Sequence, residues 1–519
     1  MIDRRIDISQ TGKLWILLAG FGAILYILWQ LSNSIAGGSP RMAMLLGAGF
    51  IAFFVAGKIA GNWRSGVSLF FVWLVFEDFI RKYMGNNMYV YFAKDVLVLV
   101  TYVSLLSSGT RRDLRFFRPP FRYALGLFFL LALVQVFNPF SPSIFYGLLG
   151  LKLYFYYVPL MFVGYAMMRT VDDLRRFLVL TMEVAGVVAG VGILQTIFGL
   201  DFLNPHGGAD IEELSHLTRY TPSGLAVIRP PSVFVSDGRF AAYIIVVFIL
   251  GLGAAGFLML RRGPGRTIVF GGVGLTALAA AMTGSRGTFI YVIASGLLLS
   301  FGMIWGAPKR VGEGYRLVKA IRQSFIYVGL AVAMAVTVFP NVFAAHLSFY
   351  RETLTPGSEN FEGRIRTWDY PVEELKLALS YPDWEIGYGA GTTSLGAQYV
   401  SRILGAPPSI GGVENGYGDL ILQFGIPGPL LWLLWASILV FAVLKKVLTL
   451  KGTWAFPLAL GILWYSFLML FPFTWGGMTI YEDFVTNAYF WLMVGILFRL
   501  PELVREAGEQ AQVAPVHGR

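Results

Sequence analysis

Apolar runs of about 20 residues recur along this 519-residue chain, and that recurrence limits its fold more than any other feature. A run of that length crosses a hydrocarbon core about 30 Å thick. Inside such a core only helices or closed barrels satisfy every backbone group. The runs read as 14 helices, at 14–31, 42–60, 66–80, 88–108, 123–138, 146–168, 177–199, 238–260, 267–283, 288–306, 324–343, 417–443, 454–472 and 484–498. The sequence thus predicts an all-α polytopic membrane protein, one integral domain over residues 1–519. Charged residues make up 14% of the chain, against about 25% in soluble proteins.

A net charge of +11 would suggest nucleic acid in a soluble protein. Here it follows from the positive-inside rule. Alternation of the spans places 26 Lys and Arg in cytoplasmic loops and 11 outside, which puts both termini in the cytoplasm. Two outer loops are long, 200–237 and 344–416, and residues 499–519 form a polar, partly disordered tail. The second loop, rich in charged, Gly and aromatic residues, is expected to hold a short amphipathic helix from Ile365 to Leu379. Ile365, Trp368, Val372, Leu375 and Leu379 recur there at helical spacing. Cys is absent and the four His are scattered, so disulfide and thiol chemistry are excluded and no metal site is expected.

Charged groups inside spans are costly. Glu77, Asp78, Lys94, Asp95, Lys152 and Glu183 read either as interhelical pairs or as a transport relay. Arg286, in Thr283-Gly284-Ser285-Arg286-Gly287-Thr288, stands at an outer interface. It is either an anchor or a phosphate ligand beside a helix N-terminus. In the second loop Arg364 shares a helix face with Thr367 and Trp368, whereas Arg366 turns away. Arg229, before Pro230-Pro231, is a weaker candidate, and Arg239 reads simply as the start of a span. Glu414 reads either as an acid complementing a helix N-terminus or as a general base at the membrane surface.

Four motifs in order resemble one known family: Thr283 to Gly287, Gly363-Arg364-x-x-x-Trp368, Gly387-x-Gly389-x-Gly391, and Glu414-Asn415-Gly416-Tyr417 leading to Phe424-Gly425-Ile426-Pro427-Gly428. Residues 229–430 resemble the O-antigen ligase and polymerase superfamily of bacterial inner-membrane enzymes. The resemblance implies a fold related to the lipid-dependent C-type glycosyltransferases. It also implies transfer of a glycan from undecaprenyl diphosphate to an acceptor hydroxyl on the periplasmic face, with no cofactor, metal or nucleic acid. By that likeness Arg286, Arg364 and Glu414 are the expected catalytic residues, the arginines engaging the diphosphate. Arg229, Asn415, Trp368, Gly389 and Gly391 are expected to bind substrate.

Glu414 stands where the ligases carry a His proposed as acceptor base. This departure favours polymerisation of exopolysaccharide or O-antigen repeats over an O-antigen ligase or a protein O-oligosaccharyltransferase. A lipid-linked oligosaccharide transporter is the alternative of another class. Expected partners are the lipid-linked donor, the glycan acceptor, membrane lipid, and a chain-length regulator or export machinery.

Overall fold

The computed structural model describes residues 40–84, 88–107, 117–204, 217–221, 224–308, 311–355, 369–394, 396–405, 410–472 and 477–513. Among these the chain is mostly helical, and eight helices are long and apolar enough to cross a membrane. The first expected span, 14–31, lies outside the described residues, as do Arg364, Arg366 and Trp368. The chain packs as two compact units, one holding the described residues before Tyr102 and the other those from Tyr102 onward.

The first unit holds α1 (Pro40–Gly61), α2 (Trp63–Tyr83) and most of α3 (Met88–Ser107). Helix α2 is longer than the 66–80 span expected from sequence, because its ends carry charged residues that a hydropathy window rejects. Two ion pairs lie inside this unit. Lys94 on α3 reaches Glu77 on α2 at 3.3 Å, both fully buried, and Arg81 holds Asp78 at 3.2 Å. Removing one member of such a pair costs about 3–5 kcal/mol, so these groups have a structural reason to be present.

The second unit begins with α4 (Arg122–Gln135) and a broken span, α5 (Ile144–Phe155) and α6 (Leu160–Met167). The break at 156–159 falls where Pro159 has no N–H to continue the ladder. Next come α7 (Val171–Phe198), started by a Thr170–Asp173 capping box, and a hairpin of β1 (Thr218–Tyr220) with β2 (Ala226–Ile228). The hairpin is a small addition to a mostly helical chain: strands of three residues leave no period to read in a sequence. Then follow α8 (Asp237–Arg261), α9 (Arg266–Ala281), α10 (Arg286–Trp305), α11 (Val311–Val338) and α12 (Pro340–Leu354). Helix α11 starts well before the expected residue 324, and α12 fills the opening of the expected 344–416 loop.

That loop continues with α13 (Tyr370–Ser380) and α14 (Ala397–Leu404). Along the described part of the amphipathic helix, Pro371 and Ala378 are buried, while Leu379, expected on the packed face, is exposed. The expected span 417–443 is two helices, α15 (Gly416–Phe424) and α16 (Pro427–Thr449). They part at Gly425, whose φ of +70° is a backbone conformation that glycine adopts without steric cost. Last come α17 (Phe456–Leu470), α18 (Thr479–Glu482) and α19 (Phe484–Val513). Helix α19 runs on through Pro501, where a polar tail was expected. Arg499 bridges to Glu502 and Glu506 across that point.

Side chains from five of these helices meet in an aromatic core. The Trp432 ring lies 4.8 Å from both Trp435 and Tyr481, and the Phe424 ring lies 5.3 Å from both Phe128 and Tyr154. Glycine permits a second close contact, the crossing of α6 and α19. A Cβ on Gly495 would stand 1.9 Å from the Met161 carbonyl oxygen, and one on Gly164 would stand 2.2 Å from that of Leu492. Such backbone approach is how helices associate where burial of apolar area gives no net drive. Gly495→Val should therefore lower the thermal midpoint in detergent, at a cost of about 1–3 kcal/mol or more. Gly190→Val, where nothing lies within 4 Å, should melt close to the parent. Equal midpoints would remove the crossing from the stabilising contacts.

Candidate functional site

Two of the sequence candidates meet through a turn. Gly284, at φ +60°, would place a Cβ 2.9 Å from Val227 Cγ1 and 3.2 Å from Arg229 Cγ. Its lack of a side chain is what lets the Arg229 stem lie against the Thr283–Gly287 turn. Ser285 then caps α10, its Oγ accepting from Thr288 N at 3.4 Å. Arg286, the first residue of that helix, sits 5.6 Å from the Phe349 ring of α12. Helix α12 buttresses the turn further. Phe289 and Tyr350 stack at 4.3 Å, and His346 faces the carbonyls of Val342 (2.9 Å) and Ile228 (3.3 Å).

A cavity of about 510 Å³ opens beside this turn. Its wall includes Arg229, Arg239, Ser236, Ser285, Tyr291 and Asp483. Two helix N-termini meet there: Ser236 starts α8 by accepting from Arg239 N at 3.3 Å, and Ser285 starts α10. Each N-terminus presents unpaired N–H groups and a partial positive charge. Arg239, which the sequence reads as the start of a span, is therefore a wall residue. Its guanidinium pairs with Asp483 and lies 4.5 Å from the Phe484 ring. Arg229 pairs with Asp237 at 2.5 Å, and its buried Nε finds no hydrogen-bond partner. In both pairs the carboxylate Oδ2 touches the guanidinium without hydrogen-bond alignment, so each contact is an ion pair alone. Only Arg239's position at the start of an apolar run could have marked it, and that signal is shared with many anchoring arginines.

The motif residues further along hold the fold together. Asn415, not Glu414, caps α15: its Oδ1 accepts from Tyr417 N and Gly418 N, both at 2.9 Å. Its Nδ2 donates to Pro371 O at 2.9 Å, so the Asn415 amide expected to bind substrate is engaged within the protein. Glu414 is exposed. Its backbone N–H donates to Glu374 Oε2 at 2.8 Å, and its side chain is not part of the cavity wall. Gly389 and Gly391 are buried with φ of +102° and +78°. A Cβ on Gly391 would stand 2.3 Å from Tyr146 O, and its N–H donates to Gln423 Oε1 at 2.8 Å. Backbone packing accounts for both glycines. Arg364 and Trp368 lie outside the described residues.

Comparison with protein families, curated proteins and solved structures gives no match to this chain. Among the described residues no group of His, Asp or Glu is placed to hold a metal ion.

His346 gives the site a measurable dependence on pH. Helix α12 lies outside the candidate spans, and burial there pushes the imidazole below its ordinary value of 6.5, against the carbonyls that favour its charged form. A group depressed in the folded state leaves stability intact above 6.5 and removes it as pH falls toward the folded value, because the unfolded chain then binds more protons. Thermal stability in detergent should therefore drop between about pH 7.5 and about pH 5.5. His346→Gln should flatten that slope. Identical slopes in the two proteins would show that His346 is not the titrating group.

Proposed function

We propose that this protein transfers a glycan from an undecaprenyl-diphosphate carrier to an acceptor sugar hydroxyl, extending a polysaccharide, with the cavity beside Arg229 and Arg239 as its diphosphate site. The observation that carries the reading is the convergence of two guanidiniums and two helix N-termini on one cavity. A diphosphate leaving group needs its growing negative charge stabilised, and guanidiniums match phosphate oxygens in shape as well as charge. Arg286 follows the wall residue Ser285 but is not itself in the wall, its guanidinium lying toward Phe349; it adds positive charge at the same turn and would need a change of rotamer to reach the diphosphate. The cavity is in the size range of small-ligand sites, enough for a diphosphate and part of a sugar, with the polyprenyl chain left to the surrounding apolar helices.

The chemistry follows from these groups. An acceptor hydroxyl attacks the anomeric carbon and the bond to the diphosphate oxygen breaks. The electron pair stays on the diphosphate, held by the arginines, and the proton passes to a carboxylate. Such transfer needs no nucleotide. O-antigen ligase and protein O-oligosaccharyltransferase activities use the same donor chemistry and differ in the acceptor alone. The transporter alternative draws on charges buried in the spans, and the pairing of Glu77 with Lys94 and of Asp78 with Arg81 gives those charges another reason to exist.

Lysine substitutions test the phosphate site. Arg229→Lys, Arg239→Lys and Arg286→Lys each keep a charge and lose the fork, so each should cut polymer formation at least about tenfold, the loss of one well-made charged hydrogen bond. Arg351→Lys, at the exposed end of α12, should be nearly silent. Parental polymer yield from all three site variants would make these arginines anchors.

Orientation is testable because the chain has no Cys. A Cys at exposed Ser380 should react with an impermeant maleimide in intact spheroplasts. A Cys at exposed Val311 should react only after permeabilisation. The reverse pattern would place the cavity on the cytoplasmic side and remove the periplasmic reaction.

A further inference from the structure

Among the carboxylates near the cavity, Asp483 alone is both in its wall and fixed in direction. It follows α18, and its Oδ1 accepts from Val485 N and Thr486 N, both at 3.0 Å, so it caps α19. Capping uses one oxygen and locks the carboxylate plane. The other oxygen, Oδ2, is the one that meets Arg239 at the cavity. The side chain is only 5% exposed, which shields Oδ2 from bulk water. Its neighbour Glu482 turns the other way, its Oε1 taking the Tyr154 hydroxyl at 3.3 Å and Gln423 Nε2 at 3.3 Å. Asp237 pairs with Arg229 but is not a wall residue, and Glu414 is exposed and away from the wall.

We infer that Asp483 Oδ2 is the base that accepts the proton of the acceptor hydroxyl. The inference rests on the glycosyl-transfer reading above and deepens it. Without donor, Arg239 neutralises Oδ2. An incoming diphosphate offers Arg239 a more highly charged partner that can align with its fork. Transfer of the guanidinium to phosphate uncovers Oδ2 at the moment the donor is seated. The hydroxyl oxygen then bonds to the anomeric carbon as the carbon–oxygen bond to diphosphate breaks. The hydroxyl proton goes to Oδ2, and Asp483 returns it to solvent after product leaves. Donor binding and base release are thus one event, so the base is uncovered only once a donor sugar is in place. Thr479 and Gln398, on the same wall as Asp483, are the polar groups placed to orient the acceptor sugar.

Asp483→Asn separates the base from the cap, because Asn caps helices about as well as Asp while losing charge and basicity. Asp483→Ser is the second variant, which keeps a capping oxygen but has no acceptor at the Oδ2 position. Two measurements are needed on the full chain. One is polymer yield at equal protein amount in a strain lacking the chromosomal copy, supplied by its own lipid-linked pool. The other is calorimetric binding of inorganic pyrophosphate to the purified protein in detergent. Both variants should lose on the order of 10²–10⁴-fold in polymer formation. They should bind pyrophosphate at least as tightly as the parent, since the competing carboxylate is gone. A variant that polymerises within about threefold of the parent would overturn the inference and leave the diphosphate site intact. So would pyrophosphate binding weakened along with activity, which would make Asp483 a positioning residue for Arg239. A Glu414→Gln loss as deep as that predicted for Asp483, with Asp483→Asn active, would move the base to Glu414. A parent that binds no pyrophosphate would bring down the diphosphate site itself, and the base with it.

Discussion

A helix that breaks inside an apolar protein must find new partners for the backbone groups at the break, and the second unit is organised around meeting that demand. The end of α15 is the clearest case. Gln135, from α4, donates through Nε2 to Ile386 O at 2.8 Å and Phe424 O at 3.3 Å. Asn138 donates to Gly387 O at 2.9 Å. Tyr388 N donates to Leu422 O at 2.7 Å and Gly389 N to Gln423 O at 3.2 Å. Each such group left unmade in the interior would cost about 1–3 kcal/mol, so two side-chain amides and one glycine loop offset the cost of interrupting the span. The glycines at 387–391 are therefore needed where the loop presses on α5 and on the break.

The same physics shapes the cavity. A helix start is a place where N–H groups lack intrahelical partners. Ser236, Ser285 and Asp483 each satisfy part of one such start with a side-chain oxygen. The starts of α8 and α10 face the cavity as positive ends, which favours an anion there. The wall arginines raise that preference; Asp483 in the wall and Asp237 behind Arg229 temper it, each through one ion pair. An anion that enters must displace a carboxylate from a guanidinium. That requirement selects for ligands with more than one negative charge, a property of diphosphates that a single carboxylate or chloride lacks.

Much of the fold was legible in the sequence, and the misses have identifiable causes. Hydropathy windows find apolar length, so α7, α8, α10 and α17 lie close to their expected bounds. A window cannot register a break that leaves hydropathy unchanged, which is why 146–168 and 417–443 read as single spans. The signals were local: Pro159 within one run, and Gly425 two residues before Pro427 in the other. The helix past Pro501 was missed for the opposite reason, since its stabilising ion pairs are polar. Site residues divided similarly. Gly284 and Arg286 stood out because a Gly-Ser-Arg-Gly turn is unusual between spans. Arg239 did not, because one Arg at the head of an apolar run usually means an anchor. Its partner Asp483 precedes an equally ordinary span, and only tertiary structure joins them.

Glu414 and Asp483 make the limit of motif reasoning concrete. Both precede an apolar helix, both follow a short polar segment, and a sequence gives no ground for ranking them. The structure separates them by what each carboxylate does. At Glu414 the capping is done by the next residue, and the carboxyl is exposed and away from the cavity wall. At Asp483 one oxygen is tied to two backbone N–H groups, so the other is held at a defined place beside a cation. General-base catalysis depends on geometry before basicity, and a base tied down through one oxygen loses little entropy when it acts. A helix cap and a catalytic carboxylate are usually weighed as rival explanations of one acid. At a helix start facing a cavity they are compatible, because a carboxylate has two oxygens and the cap needs one.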